Sequence, residues 1–279
     1  MSSIIIITVL ISTFIHATWN FLIKKSQHPY EYVQLLAVIS GLVSLPFAIF
    51  FLISESFTFL GIFLSLLSGF IHVFYFYFLG TAYKKGDLSF VYPIARGTAV
   101  ALVPLYGLFI MRESVTSISL IGVFVVFVGI IILGNIRHIR LVDSNNLLLS
   151  LIVGLTVSIY TIVDKYAVSL INPIFVFSVS SFVGGFLSIT LIDKRVSHFY
   201  NVAKKNLQIV LLISILSAIA YPMVLYAYKY SSVSLVAPLR EISTATAAIL
   251  GIIFLKETLT FYKSIGILLI VIGAILISL

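Results

Sequence analysis

The chain has no cysteine and little charge: of its 279 residues only 9% are Asp, Glu, Lys or Arg, against about a quarter in an ordinary soluble domain. Without cysteine there is no disulfide, no thiolate metal site and no cysteine nucleophile. The scarcity of charge excludes more. Hydrophobic residues make up 61% of the chain and mean hydropathy is +1.21, more apolar surface than a water-facing fold can hide. A soluble enzyme, a secreted domain and a disordered chain are ruled out, leaving an all-α integral membrane protein. Several motifs are missing as well: the G-x-x-x-x-G-K-[ST] phosphate loop of an ATP motor, the H-E-x-x-H zinc signature and the G-x-S-x-G nucleophile elbow. His16, His28, His72, His138 and His198 lack metal-ligand spacing. We expect no metal, no cofactor and no catalytic residue. Acidic residues are few, 9 against 17 Lys and Arg, a net charge of +8. In a membrane chain that excess marks cytoplasmic loops rather than a nucleic-acid partner.

What is present is a series of long apolar runs, each near the roughly 20 residues that cross a bilayer as a helix. They are Ile4–Ile23, Tyr32–Ile53, Phe59–Thr81, Leu88–Ile110, Ser117–Gly134, Leu147–Tyr166, Pro173–Ile192, Leu207–Ala227, Val233–Phe254 and Phe261–Ser278, about ten spans. The first span has neither a basic stretch before it nor an A-x-A-like site after it, so we read it as a retained helix. Two longer polar stretches interrupt the series, Asn135–Asn146 and Asp193–Asn206, and the first divides the chain into halves, 1–134 and 147–279, joined by residues 135–146.

The halves are alike. Ala82-Tyr83-Lys84 and then Leu88-Ser89-Phe90-Val91-Tyr92-Pro93-Ile94 are answered by Ala227-Tyr228-Lys229 and Val233-Ser234-Leu235-Val236-Ala237-Pro238-Leu239. Arg112-Glu113-Ser114-Val115-Thr116, with Gly122 and Gly129, is answered by Lys256-Glu257-Thr258-Leu259-Thr260, with Gly266 and Gly273. Five spans per repeat predict a second half inverted relative to the first. Loop charge agrees: Lys24, Lys25, Lys84, Lys85, Arg137, Arg140, Lys194, Arg195, Lys204, Lys205, Lys256 and Lys263 fall on one side, Arg112, Lys165 and Lys229 on the other. By the excess of basic residues in cytoplasmic loops, both termini are expected outside the cytoplasm, in the inner membrane. Gly122, Gly129, Gly266 and Gly273 put small residues seven apart on the fifth and tenth spans, a stripe that lets two helices pack closely. Gly86-Asp87 reads as a turn, and Phe74, Phe76 and Phe78 as lipid-facing or packing residues.

Polar groups inside apolar spans carry the functional information, because an intramembrane charge needs a partner or a cavity. Arg96 follows Pro93 in the fourth span; Arg240 and Glu241 follow Pro238 at matching depth in the ninth. Each proline removes a backbone donor and is expected to open its helix locally. The repeat sets Arg96 against Glu241. Either they form a plain buried bridge that orients two helices, or the three charges mark a polar cavity. His16, Asn20 and Lys24 recur every four residues, on one polar face of the first span. Trp19 aligns with Tyr160 and Lys24 with Lys165, beside Asp164, while His72 and Tyr75 belong to the same inward face. A histidine there either carries a proton or packs between helices.

These residues resemble a known family. His16-Ala17-Thr18-Trp19-Asn20 with Lys24, Ala82-Tyr83 through Gly86-Asp87-Leu88-Ser89, Val91-Tyr92-Pro93-Ile94-Ala95-Arg96-Gly97, Tyr160-Thr161 with Asp164-Lys165, Pro238-Leu239-Arg240-Glu241, and Glu113 and Glu257 resemble the EamA-type members of the drug/metabolite transporter superfamily. The resemblance implies alternating access, with spans one, three, four, six, eight and nine around a central cavity and five and ten packed behind. Some relatives export amino acids or other metabolites. The small multidrug exporters of that superfamily bind cations on a glutamate whose position falls on His16 here, a departure that argues against cation export.

The expected function is secondary transport of a small polar metabolite, an amino-acid-like zwitterion or organic anion, driven by protons or exchange. The expected binding residues are His16, Trp19, Asn20, His72, Tyr75, Tyr92, Arg96, Tyr160, Asp164, Arg240 and Glu241, with His16, Asp164 and Glu241 as candidates for a coupling proton. Expected partners are the substrate and the bilayer, with the protein a monomer or weak homodimer. Export of cationic drugs and a membrane-embedded transferase are the alternatives.

Overall fold

A computed structural model describes residues 1–55, 57–85, 88–134, 144–254 and 256–279, without the side chains of 83–85, 88–92 and 144. The Gly86-Asp87 turn, most of the loop between the halves and the side chain of Tyr92 lie outside the described residues.

The described residues form helices in the order α1 (Ser3–Lys25), α2 (Pro29–Ser54), α3 (Phe59–Lys85), α4 (Leu88–Phe109), α5 (Ser117–Leu133), α6 (Ser144–Leu170) and α7 (Pro173–Leu187). Then come α8 (Val196–Lys205), α9 (Leu207–Tyr230), α10 (Val233–Leu239), α11 (Ile242–Phe254) and α12 (Phe261–Ser278). Starts follow local chemistry. Ser2, Thr116, Asn172 and Thr260 each accept a backbone N–H of the turn they open, and Pro29 and Pro173 occupy first-turn positions where no N–H is needed.

Among the described residues, eight segments are long and apolar enough to cross a membrane: Ser3–Lys25, Pro29–Ser54, Phe59–Ala82, Asn145–Leu170, Pro173–Asp193, Leu207–Tyr230, Val233–Phe254 and Phe261–Ser278. Pro93–Phe109 and Ser117–Leu133 are shorter apolar helices. Large side chains such as Ile7, Phe47, Phe50, Phe63, Phe124 and Ile253 stand on the outer surface. Water would not tolerate so broad an apolar belt; lipid does. Phe74 belongs to this belt, Phe78 packs half-buried inside, and Phe76 is buried.

Packing follows matched pairs. α1 lies on α9 as α6 lies on α3; α1 meets α11 as α6 meets α4; α2 crosses α9 as α7 crosses α3. The most extensive interface joins α5 and α12. There Gly122 meets the carbonyl of Gly273 and Gly129 that of Gly266, backbone against backbone, which any side chain at these glycines would prevent.

Three features depart from the sequence reading. The polar stretch Asp193–Asn206 contains a helix, α8, which buries Phe199 and Val202 and ends in Lys204 and Lys205. Before it, α7 ends in a π-helical turn over Ser188–Asp193, closed by Lys194 at φ 61°. The two prolines also behave differently. After Pro238 the helix breaks at Arg240 and Glu241, where the N–H groups of Glu241 and Ser243 reach back only three residues, to Pro238 and Arg240. After Pro93, α4 runs unbroken through Arg96. The expected opening occurs in one half only.

Candidate functional site

The break between α10 and α11 faces a narrow cavity of about 40 Å³, room for little more than water. Its wall is assembled from eight places: His16 and Trp19 of α1, Leu36 of α2, His72, Tyr75 and Phe76 of α3, Arg96 of α4, Tyr160 of α6, Phe177 and Ser181 of α7, Ser217 and Tyr221 of α9, and Arg240 at the break. The expected ring of six spans is therefore widened by α2 and α7.

Aromatic rings form most of the lining. His72 stacks on Tyr160 at 4.1 Å between centroids, Tyr75 meets Tyr160 edge-on at 5.2 Å, and Trp19 packs edge-on against His16 at 4.6 Å. The Trp19 indole N–H is buried and has no acceptor among the described residues, a donor awaiting one.

The two arginines have different surroundings. Arg96 is buried against Glu241: its Nε donates to Glu241 Oε2 at 3.1 Å and its terminal nitrogen pairs with Oε1. Thr244 adds a hydrogen bond to Oε2 at 2.8 Å, so the carboxylate is fully engaged. Arg240, also buried, donates to the Tyr228 hydroxyl at 2.9 Å and lies 5.3 Å above the Tyr221 ring. Among the described residues it has no carboxylate partner.

Of the expected site residues, the cavity gathers His16, Trp19, His72, Tyr75, Arg96, Tyr160 and Arg240. Three lie behind it. Asn20 donates to the His16 carbonyl at 3.0 Å. Glu241 is held by Arg96 and Thr244. Asp164 is fully buried, accepting from Ser68 at 2.5 Å and from Tyr221 at 2.7 Å. Lys24 and Lys165 sit at the two ends of the bundle, Lys24 on Glu257 and Lys165 on the carbonyls of Tyr228 and Ser231.

A family model described as the EamA-like transporter family matches the chain twice, over residues 3–135 and again over 145–279. The chain belongs to the EamA-like transporter family. It is a multi-pass membrane protein of a transporter family rather than an enzyme. An uncharacterized protein of Methanocaldococcus jannaschii is 33% identical over 132 residues, 46% of this chain and 96% of that protein. An uncharacterized transporter of Clostridium kluyveri is 26% identical over 186 residues, 64% of this chain and 59% of its own length. A solved crystal structure superposes with a TM-score of 0.75 at 15% identity, covering 100% of this chain and 98% of the other, a likeness of fold.

Within this EamA-like chain, most lining residues that sequence reasoning missed had a signal, Ser181 being an exception. The register that matches Ala82 to Ala227 also matches His72 to Ser217 and Phe76 to Tyr221; the one that matches Trp19 to Tyr160 also matches Leu36 to Phe177. His72 and Ser217, Phe76 and Tyr221, and Leu36 and Phe177 all line the cavity. Ser68 carried no such mark.

Proposed function

We propose that this EamA-like protein is a secondary transporter of a small carboxylate-bearing anion. In this reading it works by alternating access through ten spans, arranged as two inverted repeats over 1–134 and 147–279. Two family matches, a relative about half as long, and the matched helix contacts support the repeats. The basic-residue asymmetry supports both termini on the non-cytoplasmic side of the inner membrane. Proton coupling or exchange supplies the drive, since no ATP-binding loop is encoded. The acting unit is a monomer or weak homodimer.

Arg240 carries the substrate reading. A guanidinium keeps its charge in any surroundings, so a buried one needs an anion, and its planar fork suits a carboxylate or phosphonate bidentately. Tyrosines hold Arg240 in place without neutralising it, and the unmatched Trp19 N–H adds a second donor. The geometry favours an anion over a zwitterion, because the Glu241 oxygens that an ammonium would need are taken by Arg96 and Thr244. It disfavours a lipophilic cation for the same electrostatic reason. The narrow cavity requires widening before it admits a metabolite.

Thermal-shift measurements on purified protein test this. Carboxylate-bearing metabolites should raise the melting temperature, and Arg240→Lys should lose at least about tenfold in affinity while keeping the charge. Stabilisation by quaternary-ammonium drugs, with none by any carboxylate, would overturn the reading and favour cation export.

A further inference from the structure

Two buried carboxylates lie near the cavity, and their partners differ in kind. Glu241 faces a guanidinium, which only donates hydrogen bonds; a proton on Glu241 would leave those donors unmet. Asp164 faces two hydroxyls, Ser68 Oγ at 2.5 Å on one oxygen and Tyr221 Oη at 2.7 Å on the other. A hydroxyl donates or accepts with equal ease. When Asp164 is ionised both hydroxyls donate to it. When it is protonated its own O–H donates to one of them, which turns to accept. In either state the carboxyl keeps a hydrogen-bond partner on each oxygen.

The surroundings supply a route and a readout. His72 Nδ1 donates to the Ser68 carbonyl at 2.8 Å and lies 3.2 Å from Ser68 Oγ, while its ring lines the cavity. Tyr221 turns its hydroxyl to Asp164 and its ring to Arg240. The titratable and charged groups around this network are His16 on α1, His72 and Tyr75 on α3, Arg96 on α4, Tyr160 on α6, Tyr221 and Tyr228 on α9, and Arg240 with Glu241 at the break. None of the titratable or charged groups lining the cavity comes from α2 or α7. Lys165, next to Asp164 in sequence, turns away to the carbonyls of Tyr228 and Ser231.

Charge balance then decides stoichiometry. Arg96 offsets Glu241, and Arg240, which touches no carboxylate among the described residues, is balanced only at a distance by an ionised Asp164 on the far side of Tyr221. An anion entering this low-dielectric space is one negative charge too many. We infer that Asp164, set between Ser68 and Tyr221 and reached through His72, binds the proton that accompanies the substrate anion, so that proton and anion load together as an electroneutral pair. The inference rests on the anion reading above. A proton on His16 instead would place a third positive charge beside two guanidiniums. Linkage makes the effect mutual: the proton strengthens anion binding at Arg240, and the anion strengthens proton binding at Asp164 by the same factor.

Infrared difference spectra of the purified protein, taken on acidification from about pH 8 to about pH 5, test the site. A protonated-carboxyl band should grow in, be absent from Asp164→Asn and persist in His16→Gln. Its persistence in Asp164→Asn, or its absence from the unsubstituted protein, would overturn the proposal. If Asp164→Asn fails to fold, Tyr221→Phe serves: losing one hydroxyl partner should shift the band's midpoint, and an unchanged midpoint would count against the proposal. Benzoate, a carboxylate on a flat apolar ring, tests the coupling. It should enlarge the band at fixed pH, and its affinity should fall about tenfold per pH unit above the midpoint. Bound benzoate with no effect on the band would refute co-loading. An intact band with no carboxylate bound, benzoate included, would instead sink the anion reading and leave the proton site standing.

Discussion

The proline-bearing helices of the two halves, α4 and the α10–α11 pair, share a register in which Pro93 matches Pro238, Ala95 matches Arg240 and Arg96 matches Glu241. One is continuous and the other is broken. A proline alone therefore does not open a membrane helix. What differs is the load beyond it: Arg240 and Glu241 are each held by side chains of another helix, Tyr228 of α9 and Arg96 of α4, whereas α4 carries one such charge. The comparison separates two roles. Arg96 and Glu241 are mates that cancel across the repeat, while Arg240, which has no carboxylate partner among the described residues, stands where the first half has alanine, a departure from symmetry.

The most severe test breaks the symmetric pair. Glu241→Gln or Arg96→Met strands a buried charge and should cost about 3–5 kcal/mol of unfolding free energy, whereas replacing both by methionine should cost less than either alone. Denaturant unfolding in detergent measures this, and additive costs would mean the two are not a pair. A smaller effect is expected where the halves meet. A Cβ on Gly122 would stand 2.7 Å from the Gly273 carbonyl oxygen, and one on Gly273 2.7 Å from that of Gly122. Each alanine substitution should cost about 1–3 kcal/mol, alike for both members; a marked inequality would show that the interface is not shared evenly.

The mildest contrast lies at the bundle ends. The chain turns into α5 and into α12 through the same left-handed residue, Arg112 at φ 53° and Lys256 at φ 56°. The glutamates that follow take different partners. Glu113 accepts the backbone N–H groups of Val233 and Ser234 and the Ser234 hydroxyl, while Glu257 pairs with Lys24 and Lys263. Glu113→Gln should cost about 1 kcal/mol as a lost cap, and Glu257→Gln less than about 1 kcal/mol, shrinking further in salt. Burial works against the Glu257 charge, but the hydrogen bonds from Lys24 and Lys263 outweigh it and hold the carboxyl below its usual 4.5. Its contribution is therefore complete at neutral pH, declines as pH falls past the ordinary glutamate value and vanishes below the lowered one. A stability curve flat across that range would remove the ion pair from the account.

Much of this was legible in the chain. Runs of apolar residues located the helices, and the glycines seven apart located the α5–α12 contact, because both depend on local pattern. Arg96 against Glu241 followed from the repeat. The helix in the polar stretch before Leu207 was missed because a short amphipathic segment looks like a loop when only long apolar runs are sought. Tyr221, Phe177 and Ser217 were missed for another reason. A tyrosine, phenylalanine or serine in an apolar span is ordinary, and it gains meaning only when its repeat mate also lines the cavity. Ser68 gains its meaning from Asp164, 96 residues away, which local pattern does not encode.

The narrowness of the cavity around Arg240 has an electrical consequence. A cell's membrane voltage drives sodium and other metal cations toward any water-filled passage, and a membrane protein that opened one would dissipate that voltage. Here the whole cavity is only about 40 Å³, and a guanidinium that cannot lose its charge faces it. Small cations meet both a steric and an electrostatic barrier, while an anion meets only the steric one. A permanent positive charge in the cavity wall thus opposes the leakage of small metal cations through it.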